Sequence, residues 1–307
     1  MHMPLFISSK KTPRLALGTW ALGGGKDWGE VPSQQAQALL QEALESGLRW
    51  IDTSPVYGWG KAEERIGQIL RPWREKVILA GKCGICLNEQ NRPDHDLRPP
   101  QVVRECEASL KRLQTDYLDL YQLHWPDPNT PLEDTLQALL HLKQQGKIRA
   151  LGLCNFPLDL LKKACQMAPI ECVQYQLSLL AGVPTDILQF CQERQIVFLG
   201  YGVLGGGILS GKYQKEPNFK RGDARKYFYR YYTAERFLSA QETAERVKQV
   251  ARQKGVCASA VALAWGLAQQ GVSGVLFGAR NSEQVRQNLQ ALQVELTTQE
   301  QEFLQHG

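Results

Sequence analysis

The chain has no run of 18 consecutive apolar residues, so nothing in it reads as a membrane-spanning helix. Its first residues, MHMPLFISSKKTPRL, lack the apolar stretch that drives secretion, and a cytoplasmic protein is the expectation. Charge of one sign is missing as well. The 36 basic and 31 acidic residues leave a net charge of +5 and are interleaved, which argues against a nucleic-acid or membrane-surface partner. Cysteine is sparse: eight in 307 residues cannot staple a fold of this size, and reduced thiols are expected. No linker or shift in composition divides the chain, so a single domain is expected. What the chain does have is 43% hydrophobic residues, enough to bury a large core.

Two short motifs invite a specific chemistry and then lack a part of it. Cys83-Gly84-Ile85-Cys86 has the spacing of a dithiol redox site, but Leu87, Asn88 and a polar, proline-containing stretch follow. A redox pair needs a helix N-terminus there to lower its thiol pKa, and a zinc site needs a second ligand pair. The run 206-GGILSGKY-213 nearly spells a phosphate-binding loop, yet Tyr213 stands where a serine or threonine would bind magnesium. No metal site is expected.

Strand-like apolar runs alternate with helix-period stretches along almost the whole chain. The strand candidates are 15–19, 50–54, 76–82, 117–124, 148–154, 172–176, 196–201 and 273–278. Helices are expected near 33–47, 61–71, 99–113, 131–146, 157–167, 185–194, 239–270 (as two helices) and 281–291. In the first, Ala38, Leu39, Leu40, Ala43 and Leu44 form an apolar stripe that Gly47 terminates. Eight strands alternating with helices is the count of a (β/α)₈ barrel, although an open doubly wound sheet alternates similarly. The one long irregular segment, 212–237, is polar and aromatic-rich, which suits a functional loop better than an inert linker.

In a parallel barrel the active site gathers where strands end. Asp52 ends the second strand, and Tyr57 follows in a turn marked by Pro55, Gly58 and Gly60. Lys82 ends the third and His124 the fourth. Each of these side chains alone also has a purely structural reading. Together, an acid, a phenol, an ammonium and an imidazole from adjacent strands form a set suited to proton transfer through a phenol. Lys82 would favour the phenolate of Tyr57, Asp52 would fix Lys82, and neutral His124 would orient a substrate oxygen. Such a set reduces a carbonyl only if a cofactor supplies the hydride.

The stretches LGTWALGGG, GLRWIDTSPVYGWGKAEERIG, LAGK, DLYQLHWPD, GKIRALGLCNF, VQYQLSLL, GYGVLGGGILSGKY and FGARNSEQVRQNL follow one another in this order. The sequence thereby resembles the aldo-keto reductase superfamily over essentially its whole length. The resemblance implies an α/β fold, a single (β/α)₈ TIM barrel, that binds NADPH without a Rossmann domain. It implies a catalytic tetrad of Asp52, Tyr57, Lys82 and His124, with Tyr57 as general acid. It further implies that Asn155 and Gln174 hold the nicotinamide carboxamide, that Tyr201 stacks on the ring, and that Trp20 and Leu204 border the cofactor. Gly206 and Lys212 would lie along the pyrophosphate, with Asp223 and Arg225 closing over it. Arg280 and Ser282 would face the adenosine 2′-phosphate, with Gln284 beside it and Asn288 at the adenine. Position 154 carries cysteine in place of the family's usual serine, Val203 replaces a common proline, and Gln287 replaces a frequent glutamate. Trp28, Trp59 and Trp125 are the candidates for the substrate pocket, which would take a small-molecule carbonyl compound. The same motif set also occurs in the cofactor-sensing β-subunits of voltage-gated potassium channels, which are tetramers. A regulatory subunit with little turnover is therefore the alternative, an oligomer stays open, and a non-redox barrel acting on phosphorylated substrates is a third reading.

Overall fold

A computed structural model describes residues 14–90 and 92–306. Residues 1–13 of the N-terminal stretch read above for a leader lie outside them. Eight parallel strands close into a barrel: β1 (Leu15–Gly18), β2 (Trp50–Asp52), β3 (Ile78–Cys83), β4 (Leu118–Leu123), β5 (Ile148–Cys154), β6 (Ile170–Gln176), β7 (Val197–Tyr201) and β8 (Gly274–Gly278). Each pairs with its neighbours in chain order, and β8 closes on β1 through Leu15↔Val275 to Gly18↔Gly278. This decides between the closed barrel and the open sheet.

Alternation along the strands explains both the core and the position of the site. Successive side chains point to opposite faces. Ala16, Trp50, Ile78, Ala80, Leu120, Ala150, Cys172, Val197, Leu199 and Leu276 fill the lumen as one cluster, while Leu17, Ile51, Leu79, Leu123, Leu151, Val173 and Phe198 face the helical layer. Two residues beyond the lumen set, or four for Cys154, the same parity delivers Asp52, Lys82, Gln122, Cys154, Gln174 and Tyr201 to the upper end of the barrel. Hydrophobic residues plug the lower lumen, so polar side chains at this face are held above a dry floor.

The outer layer consists of α1 (Ser33–Glu45), α2 (Lys61–Leu70), α3 (Pro99–Leu113), α4 (Leu132–Gln144), α5 (Leu158–Met167), α6 (Thr185–Arg194), α7 (Ala234–Lys254), α8 (Ala258–Ala268), α9 (Ser282–Leu289) and α10 (Thr298–His306). In α1 the residues that reach the core are Ala36, Leu39, Leu40, Ala43 and Leu44, spaced three and four apart on one face. Ala36 rather than Ala38 opens the stripe. Each buried leucine there contributes about 1.5–3 kcal/mol.

Three features differ from the expectation. Cys86 does not run into a bare loop: Ile85–Leu87 pairs antiparallel with Pro93–His95 in a small hairpin above β3. Its strands are three residues long, too short for alternation to register, and Asn88 organises the turn by accepting from the amides of Gln90 and Arg92. The helix expected from 239 begins five residues earlier. Residues 298–306 add α10, whose Leu304 is buried against the core. Within the long segment after β7, Ala224–Tyr227 forms one helical turn capped by Asp223, which accepts from the Arg225 amide at 3.0 Å.

Candidate active site

A cavity of about 820 Å³ opens at the upper face of the barrel. It runs past Asp52, Tyr57, Lys82 and His124 and on to Arg280, Gln284 and Asn288. Four side chains named from the sequence meet at its floor. Lys82, buried to 2% exposure, is ion-paired with Asp52 and donates to the Tyr57 hydroxyl at 3.4 Å and to the Thr53 carbonyl at 3.3 Å. The second oxygen of Asp52 accepts from Gln174 Nε2 at 2.6 Å and from Gln122 Nε2 at 3.4 Å. Both carboxylate oxygens are therefore engaged, and the ammonium can point only between Asp52, Thr53 and Tyr57.

The His124 ring lies edge-on to Tyr57 with centroids 6.0 Å apart, and its Nδ1 is 3.3 Å from the Ser54 hydroxyl. Burial, then the Lys82 charge, hold its pKa well below the usual imidazole range. The ring is neutral at physiological pH. Lys82 goes the other way: burial disfavours its charge, but the Asp52 carboxylate and Tyr57 more than offset this, and it stays protonated. Tyr57 departs from the simple expectation. Burial pushes its phenol up to about 12, and the Lys82 ammonium opposes that shift without cancelling it. The ammonium thus moderates a phenol that remains firmly protonated.

Around this floor the other expected residues take definite places. Tyr201 donates to Asn155 Oδ1 at 2.7 Å, and Asn155 Nδ2 donates to the His124 carbonyl at 3.2 Å. Asn155 sits at φ +64°, a left-handed position that asparagine tolerates better than most residues. Cys154 Sγ contacts Gln122 Oε1 at 3.6 Å, a weaker link than a hydroxyl would make, and burial raises its thiol pKa. Trp20 stacks on Tyr57 at 5.9 Å, and Trp28 meets Trp20 edge-on at 5.5 Å. Leu204, Gly206 and Lys212 line the cavity where the chain leaves β7. A Cβ on Gly206, at φ +66°, would stand 2.8 Å from the Tyr229 ring, so only glycine lets the main chain pass there.

Arg225 lies against Asp223 through two hydrogen bonds, at 2.8 and 2.6 Å, beneath the cavity rim and 5.2 Å over the Trp28 ring. Arg280 Nη2 donates to the Glu30 carbonyl at 3.1 Å, and its own amide donates to Gln284 Oε1 at 2.8 Å. Asn288 is buried beside them. Ser282 starts α9 and is not among the residues bounding the cavity, whereas Gln287 is. The N-cap is Asn281, whose Oδ1 accepts from the Gln284 amide, and Ser282 is the first helical residue.

Sequence reasoning missed Gln122, whose place two residues before His124 in β4 could have pointed to it. It also missed Asp27, which accepts from Trp20 Nε1 and from Tyr227 at 3.1 Å each, joining the loop after β1 to the segment after β7. The motifs set aside earlier have ordinary explanations. Burial raises the pKa of both the Cys83 and the Cys86 thiol, opposite to what a redox pair needs. Tyr213 spends its hydroxyl on Arg225 at 3.0 Å. Among the described residues no cluster of three or more potential ligands could hold a metal ion, and no helix is long and apolar enough to cross a membrane.

The model of the aldo/keto reductase family matches residues 14–305. The chain belongs to that family. This reductase is 32% identical over 310 residues to the NADH-specific methylglyoxal reductase of Escherichia coli, covering 96% of this chain and 94% of that protein. The glycerol dehydrogenase AKR11B4 of Gluconobacter oxydans superposes with a TM-score of 0.85 at 34% identity, over 95% of this chain and 90% of that one. An aldo/keto reductase from Klebsiella pneumoniae, solved with NADP and acetate, gives 0.73 at 27% identity, over 95% and 90%. The fold, the carbonyl–alcohol oxidoreductase class and the use of a nicotinamide cofactor follow from this membership.

Proposed function

We propose that the protein reduces an aldehyde or ketone with NADPH, using Tyr57 as the general acid. The observation that carries the reading is the chain Asp52–Lys82–Tyr57 with neutral His124 alongside, at the floor of the cavity. The residues around that cavity fit a nicotinamide dinucleotide. Asn155 and Gln174 offer amide groups near the floor, Gly206 and Gly207 bring bare main chain to the cavity wall, and Lys212, Arg225 and Arg280 supply positive charge. The bound nicotinamide supplies the hydride. In the tautomer whose Nδ1 accepts from Ser54, His124 presents Nε2–H to the substrate carbonyl and orients it beside the Tyr57 hydroxyl. Tyr57 donates its proton to the oxygen as that oxygen gains charge, and Lys82 stabilises the phenolate left behind. Solvent then restores the proton.

The Tyr57 pKa of about 12 fixes the sign of the pH dependence. Reduction uses the phenol, which is fully present throughout neutral pH. Alcohol oxidation uses the phenolate, whose fraction grows about tenfold per pH unit below the pKa. Oxidation kcat is expected to climb along that slope from pH 7 to 9 while reduction shows no loss of the acid. A plateau in oxidation near pH 7 would contradict this assignment.

Arg280 supports NADPH over NADH, since an arginine beside a helix N-terminus suits a phosphate monoester. The Escherichia coli relative, being NADH-specific, makes this the sharper test. Titration of tryptophan fluorescence is expected to show tighter binding of NADPH, and Arg280→Ala to weaken NADPH by roughly 10–100-fold with little effect on NADH. Binding of neither nucleotide would sink the whole reading. Preference for NADH would remove only the role of Arg280.

A further inference from the structure

Trp59 adopts φ +54°, a left-handed conformation that bulky residues avoid. The other described non-glycine residues with positive φ are Asn155 and the helix-ending Gln114 and Gln195. Trp59 ends nothing. Its backbone is clamped from both sides. A Cβ on Gly58 would lie 2.3 Å from the Gly23 carbonyl oxygen, so that peptide is seated directly on another stretch of main chain. On the other side Gly60, at φ +96°, starts α2 and packs under Arg112, which is held by Glu63 at 2.6 Å. A strained conformation fixed in this way by its surroundings is typical of functional sites.

The clamp turns the Trp59 indole outward. It is 49% exposed, bounds the cavity and is not part of the hydrophobic core, whereas Trp28 packs on the core beneath Arg225. Leu87, 42% exposed, and Ile85 bound the same cavity from the hairpin, together with the half-buried Trp125, and these three are not part of the core either. Four apolar side chains outside the core therefore stand in one cavity with Tyr57 and His124. Leaving them in water costs free energy that a ligand can recover.

We infer that Trp59, with Leu87, Ile85 and Trp125, forms a subsite for the non-reacting end of the substrate and selects carbonyl compounds carrying a flat apolar group such as an aryl ring. This rests on the carbonyl-reducing reading above. A tryptophan whose backbone is already fixed offers its face with little ordering cost. A small polar carbonyl compound engages Tyr57 and His124 but gains nothing from this rim.

The test compares kcat/KM for 2-naphthaldehyde and methylglyoxal, in the full-length protein at saturating cofactor, for wild type, Trp59→Gly and Trp59→Phe. Glycine adopts the left-handed backbone freely, so Tm is expected to hold or rise in Trp59→Gly, and Trp59→Asn is a second variant that tolerates the same φ. The wild type is expected to favour the naphthaldehyde. Trp59→Gly is expected to cut the naphthaldehyde-to-methylglyoxal ratio by about 10–100-fold, mainly through KM, while Trp59→Phe keeps most of it. A ratio unchanged in Trp59→Gly would overturn the inference and leave the reductase reading standing. So would a change of oligomeric state in light scattering without a change of ratio, which would make the rim a contact between copies. Cofactor binding with neither aldehyde reduced by the wild type would remove the reductase reading, and the inference with it.

Discussion

Tyr57→Phe is expected to lower kcat for carbonyl reduction by about 10²–10⁴-fold, the range for loss of a positioned general acid. Nicotinamide binding and Tm should change little. The substitution removes one oxygen and leaves the ring, so the stacking on Trp20 and the edge contact with His124 are retained. Lys82 loses a partner at 3.4 Å but keeps Asp52 and the Thr53 carbonyl, so no buried charge is stranded. Stopped-flow binding of the cofactor together with steady-state turnover separates the two effects. Turnover within threefold of wild type would mean that another group delivers the proton. His124 would then be the candidate, but its neutral ring beside an ammonium makes a poor acid.

The strand–helix alternation and the strand-end positions of Asp52, Lys82 and His124 were legible in the sequence as short-range pattern, while the closed barrel came with the family resemblance. Strand runs such as 148–154 alternate small lumen-facing residues with leucines, and the period of two carries past the strand end to place Asp52, Lys82 and His124 on one face. What was not legible depends on burial and on contacts between segments far apart in the chain. The direction of the Tyr57 shift needed the knowledge of how far the folded chain desolvates the phenol, because that decides whether burial outweighs Lys82. The contact of Gln174 with Asp52 spans 122 positions, and Tyr227 with Asp27 spans 200. The hairpin after β3 escaped notice because three-residue strands carry too few alternations to count.

Lys82→Met is expected to abolish turnover and also to cost about 3–5 kcal/mol of stability, the usual penalty for breaking a buried ion pair from one side. Asp52 and Lys82 are 1% and 2% exposed, so neither is relieved by solvent. With the ammonium gone, the carboxylate keeps only its contacts with Gln174 and Gln122, two neutral amides. In a domain of this size such a loss corresponds to a fall in Tm of roughly 5–8 °C. The double variant Asp52→Asn, Lys82→Met separates the structural from the chemical role of the pair. It removes both charges, so most of the lost stability should return, because an uncharged buried pair carries no desolvation penalty of that size. Turnover should not return, since nothing then stabilises the phenolate of Tyr57. Recovery of stability without activity would assign the ammonium to the chemistry and the carboxylate to holding it. If the double variant were as unstable as Lys82→Met, the cost would lie in the packing of the lysine stem, and the pair would matter to the fold mainly through its shape.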